Sequence, residues 1–159
     1  MTARVRAGAD LVLSDVVLAG ATASGAVLFA VAEGGYAAFP DLLRQVAIPG
    51  ALAVAVAPLL ALFTAGPRLG RATVAGAVAG LAGTLGLELV REIGFRVFDS
   101  MPGDIAMLMG VLATGRIVQG PNLLSDLAGW DDYAFNGALF GVTLAVLIGG
   151  FPRRRGGAP

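Results

Sequence analysis

VAIPGALAVAVAPLLALFTA, residues Val46–Ala65, carries no ionisable side chain over 20 positions. At 1.5 Å per residue a helix of this length is about 30 Å long, the thickness of a bilayer's hydrocarbon core. The flanking sequence repeats the pattern. Leu11–Ala32 holds one charge, Asp15; Ala72–Leu89 holds one, Glu88; Tyr133–Gly150 holds none. Four such runs in 159 residues predict an all-α integral membrane protein with four transmembrane helices in an up-down bundle.

Composition agrees. The chain is 57% hydrophobic and 14% charged, with a mean hydropathy of +0.81; ordinary soluble domains are about 45–50% apolar and about 25% charged. A soluble domain of this size could not bury so much apolar surface, whereas a bundle whose solvent is lipid has no need to. Cysteine, histidine and lysine are all absent. That excludes disulfides, thiol and Schiff-base catalysis, and histidine-based metal, haem or proton-relay chemistry. No cofactor is expected, and a net charge of zero gives no reason to expect nucleic acid as a partner.

Turn and breaker signals divide residues 1–152 into one domain with helices at about 10–32, 41–65, 71–99 and 131–150. Glu33-Gly34-Gly35 ends the first helix and Gly66-Pro67 the second; Pro49 and Pro58 predict a bend in the second, chiefly at Pro49-Gly50. Asp131-Asp132 suits the N-terminus of the fourth. The connection 100–130 is longer than a bundle needs. Within it Ile105–Ala113 is apolar all round but too short to span, so it predicts a short interfacial or re-entrant helix, started by Asp104 and stopped at Gly115. A second short piece is read at Asn122–Leu127. Residues 153–159 form a basic tail suited to lipid headgroups. Arg4 and Arg6 followed by an apolar run resemble a signal peptide, but Asp15 interrupts that run and it continues to Ala32, so an uncleaved first helix is expected.

With the N-terminus inside, Arg4, Arg6, Arg68, Arg71 and Arg153–Arg155 fall on the inner side, against Arg44, Arg91, Arg96 and Arg116 outside. The positive-inside rule then places both termini in the cytoplasm and the protein in the plasma or inner membrane. Tyr36, Phe39, Trp130 and Tyr133 read as an outer aromatic belt.

Several groupings are candidates for function. Gly76, Gly80 and Gly83 form a small-residue stripe on the third helix, and Gly137 and Gly141 on the fourth. Such stripes let two backbones approach, either within one protomer or between protomers. Glu88, Arg91 and Glu92 follow helical spacing near the outer end of the third helix, and Asn136 lies at a comparable depth on the fourth; together they read as a polar pocket or as an ion-pair staple. Asp15 is a candidate inner-side polar site. Met101, Met107 and Met109 read as adaptable packing rather than a copper site. Asn122, Asp126, Asp131 and Asp132 match no calcium-loop spacing.

Three functions follow. The first is a non-enzymatic polytopic protein, a subunit or homo-oligomer, acting through helix contact and its outer loop, with lipid and a protein partner or its own copy as partners. The second is a small channel or transporter for a proton, cation or small solute using Glu88, Asn136 and Asp15; the bent second helix supports it. The third, with least support, is a membrane enzyme using Glu92, Asp99 or Asp104.

Overall fold

A computed structural model describes residues 3–64, 67–98, 100 and 105–150. The described residues form helices and turns with no strand: α1 Ala3–Thr22, α2 Gly25–Glu33, α3 Phe39–Leu42, α4 Ile48–Thr64, α5 Arg68–Arg96, α6 Ile105–Ala113 and α7 Leu123–Gly150. A π-helical turn, Leu43–Ala47, joins α3 to α4. Three helices are long and apolar enough to cross a bilayer, Phe39–Thr64, Arg68–Arg96 and Leu123–Ile148, and α1 with α2 makes a fourth when the bent pair counts as one span. Asp99, Met101, Asp104 and the tail 153–159 lie outside the described residues.

The first predicted helix is two helices, bent by 50°. Thr22-Ala23-Ser24-Gly25 explains the break. Thr22 Oγ1 turns back to the Ala19 carbonyl at 2.7 Å, and Ser24 adopts an extended backbone (φ −67°, ψ 147°). Ser and Thr offer the backbone alternatives to the helical ladder, and Gly is a weak helix former.

The second predicted helix shows the reverse. Phe39–Thr64 runs on through Pro49-Gly50 as one helix. The π turn accounts for this. Ile48 N–H bonds Leu43 O, five residues back, which widens the helix just where the Pro49 ring would press on the Gln45 carbonyl.

The fourth helix begins eight residues before Asp131. Asn122 and Ser125 close a reciprocal cap: Ser125 N–H donates to Asn122 Oδ1 at 2.9 Å, and Asn122 N–H to Ser125 Oγ at 2.8 Å. The short piece read at Asn122–Leu127 is therefore the opening of α7, and Asp131 and Asp132 lie inside a helix rather than capping one. α6 has the predicted bounds and ends at Gly115, whose φ of +66° is accessible to glycine at little cost.

The most extensive contacts are α5 on α7, α1 on α4, and α6 on α7; α1 against α7 joins the two pairs more sparsely. The glycine stripe is used inside the chain. A Cβ on Gly76 would come within 2.6 Å of the Gly141 carbonyl, and one on Gly80 would overlap the Gly137 carbonyl. Gly83 departs from the stripe, with nothing near its would-be Cβ. One apolar cluster, including Val17, Ala21, Val54, Ala61, Leu139 and Val146, fills the middle of the bundle. A second, Leu28, Phe39, Ala47 and Met109, packs α2, α3, the π turn and α6 together at the loop end. Phe39 is thus core rather than belt, and meets Phe29 edge-on at 6.2 Å. Tyr36 and Trp130 are exposed.

Candidate functional site

Between these two clusters lies a layer of polar groups. Along the first span Ser24 falls between Ala21 of the middle cluster and Leu28 of the loop-end cluster; along α7, Asn136 is three residues from Leu139. The break after Thr22 places the start of α2 inside the bundle, and the first N–H groups of any helix lack intrahelical acceptors. Asn136 meets this need from another helix. Its Oδ1 accepts from Ala26 N–H at 3.3 Å, and its Nδ2 donates to Asp132 Oδ2, one turn away, at 3.1 Å. Asn136 and Asp132 are both buried. The positive end of α2 is thereby coupled through one amide to a carboxylate.

Ser24 completes the layer. It occupies the N-cap position of α2 and is 1% exposed, yet its hydroxyl makes no capping bond. Its Oγ is the buried side-chain polar atom without a hydrogen-bond partner among the described residues. Buried hydroxyls are ordinarily paired, and an unpaired one costs about 1–3 kcal/mol.

Asp132 also lines a cavity of about 310 Å³ among the start of α4, the end of α6 and α7. Its walls are Leu43, Ala47, Ile48, Ala113 and Phe135, with Asp131 and Asp132 supplying the charge. Two larger cavities, about 680 and 770 Å³, are apolar grooves between α5 and α7 and between α4 and α5. Neither Asn136 nor Ser24 lines any of the three; the smallest meets the polar layer at Asp132.

The pocket predicted from Glu88, Arg91, Glu92 and Asn136 separates into two groups. Glu88 and Arg91 form a buried pair within α5: Arg91 Nε donates to Glu88 Oε2 at 2.9 Å, and its Nη2 pairs with Oε1. Arg91 Nη2 also lies 3.6 Å from Glu92 Oε1, and Glu92 binds the exposed Arg96. Tyr133 brings α7 into side-chain reach of Glu88. The staple geometry thus holds for Glu88, Arg91 and Glu92, while Asn136 directs its amide to Ala26 and Asp132. Asp15 is exposed on α1. At that end the contact within the bundle is Asp10 with Arg68, 2.7 Å, beside Ser14 and Val146.

Sequence reasoning missed Ser24 and weighed Asp132 only as a helix cap or as one oxygen ligand of a hard cation. The i,i+4 spacing of Asp132 and Asn136 was a readable signal. The contact from Ala26 to Asn136, 110 residues apart, was not. No family model matches the chain, and no curated protein or solved structure is detectably similar to it.

Proposed function

We propose that this chain is a four-span integral membrane protein that binds a small polar solute at its broken first span and carries it across the bilayer. The observation that carries this reading is the unpartnered Ser24 hydroxyl at a half-helix N-terminus, two residues before the Ala26 N–H that the buried Asn136 amide links to Asp132. Broken helices at membrane depth are tolerated where they are buried in protein or line a cavity, and the freed backbone groups are recurrent solute sites in transporters. Asn136 lies twelve residues, about 18 Å of helix, from Ile148, so it falls within a core of about 30 Å.

The surroundings favour a carrier over an open pore. The cavity reaches Asp132, one member of the polar layer, from the loop end, while the cluster around Val17, Leu139 and Val146 fills the bundle beyond Asn136. The densest packing is α1 on α4 and both α5 and α6 on α7, so sliding the α1–α4 pair past the α5–α6–α7 group is the economical way to move that seal. Both termini are assigned to the cytoplasm on the arginine distribution, which leaves the cavity facing outward. A cysteine at Gln119 should react with an impermeant thiol reagent on intact cells and one at Ala158 should not; the opposite pattern would reverse the assignment.

The carrier reading is tested by osmotic swelling of liposomes in glycerol, urea, methylammonium and ethanolammonium salts. At least one should enter faster than into protein-free vesicles, and Asn136→Leu at equal incorporation should remove the difference. Protein-independent swelling with all four would overturn the reading.

A second reading, a subunit acting through helix contact, rests on Asp15. It is exposed on α1 among exposed Leu11, Val12 and Val16. A charge facing lipid costs at least about 2.5 kcal/mol, which a protein partner covering that face would relieve. The glycine stripe no longer supports this reading, because α5 and α7 use it on each other. Co-purification in mild detergent tests it: a stoichiometric partner lost on Asp15→Ala supports it, and a lone chain refutes it.

A further inference from the structure

We propose that the cavity of about 310 Å³ between α4, α6 and α7 selects a monovalent organic cation, an ammonium on a compact apolar body, with the charge at Asp132 and Asp131 and the body against Leu43, Ile48 and Phe135. The inference deepens the carrier reading by naming the solute class, and rests on it only for transport; the binding step stands separately.

Charge is the first argument. Asp131 and Asp132 are adjacent carboxylates at the cavity wall, Asp132 being 9% exposed. Neither is paired with an arginine among the described residues, where the ion pairs join Asp10, Glu88 and Glu92 to Arg68, Arg91 and Arg96. The lining helices and their π turn carry one cation of their own, Arg44; it is exposed and in none of those pairs. Asp132 keeps Oδ2 on Asn136, which orients the carboxylate while its other oxygen remains available to a donor. Buried carboxylates are ordinarily paired, and an anionic solute would meet repulsion from both.

Wall chemistry is the second argument. Apart from the two carboxylates the cavity is lined by aliphatic side chains and Phe135. A bare hard cation needs about six to eight oxygen ligands, and no group of three or more acidic residues among the described residues could hold a metal. An ammonium needs only hydrogen-bond acceptors at its head. Its apolar body gains from leaving water against Leu43, Ile48 and Phe135. The volume lies at the lower end of small-molecule pockets, about 300–1,000 Å³, which favours a body of one ring or a short branched chain.

Equilibrium dialysis of radiolabelled phenethylammonium against the full chain in mild detergent tests the proposal. Saturable binding at one site per chain is expected, with 2-phenylethanol, of the same shape and no charge, failing to compete. Asp132→Asn, which keeps the shape and the link to Asn136, should weaken binding about tenfold or more. Ala128→Leu, which fills the cavity from α7, should do the same with both carboxylates intact. Asp15→Asn should leave binding unchanged. No saturable binding up to about 10 mM, equal binding by Asp132→Asn with native gel-filtration and circular dichroism profiles, or equal competition by the alcohol would each overturn the proposal. Cation binding without vesicle swelling would leave the pocket standing and remove the carrier reading. Swelling in neutral solutes without cation binding would do the opposite.

Discussion

Replacing Arg91 with methionine isolates what the charge ladder on α5 contributes. Arg91 and Glu88 side chains are 7% and 8% exposed, so the pair is effectively dry, while Glu92 at 29% reaches solvent. Removing one member of a buried pair typically costs about 3–5 kcal/mol, because a charge is left uncompensated. Arg91→Met should therefore lose about 3–5 kcal/mol. Adding Glu88→Gln should restore most of the loss, since no charge is left behind. Reversible unfolding in mixed micelles, followed by circular dichroism, is the assay. A loss under about 1 kcal/mol would mean that Glu88 reaches water and that the ladder is a surface feature.

Gly80→Leu should destabilise the monomer by about 1–3 kcal/mol or more through overlap with Gly137, whereas Gly83→Leu, with open space at that position, should be tolerated; equal effects in thermal melts would refute the intramolecular stripe. Asn136→Leu removes both the acceptor for Ala26 and the donor to Asp132, and should cost about 2–4 kcal/mol while speeding amide exchange at the start of α2 more than in α5; uniform exchange would argue against a local cap. Ser24→Ala removes a buried hydroxyl that has no partner, so stability should hold or rise by up to about 1 kcal/mol while solute flux falls. A large loss of stability would mean that the hydroxyl is paired in the bilayer and is structural.

Composition and the charge-free runs were enough to establish an all-helical chain with helices of spanning length, because lipid imposes one demand: backbone polar groups must be satisfied locally, and apolar side chains must cover the length of the span. The body and end of α6 were legible, since Ile105–Ala113 is apolar throughout and Gly115 stops it. The ladder Glu88–Arg91–Glu92 was legible too, because its contacts lie within one helix at three- and four-residue spacing. The candidate site was not. Ser24 is an ordinary residue in an apolar run until a helix breaks beside it, and Asn136 gains its role only when α7 delivers it to Ala26. The use of the glycine stripe, the burial of Phe39 and the exposure of Asp15 also depend on which helix faces which. Periodicity marks the faces of each helix, but nothing local says which faces meet, because in lipid an apolar face is satisfied by acyl chains as well as by another helix. That choice is made by packing, hydrogen bonds and caps between distant segments, and only the tertiary structure records it.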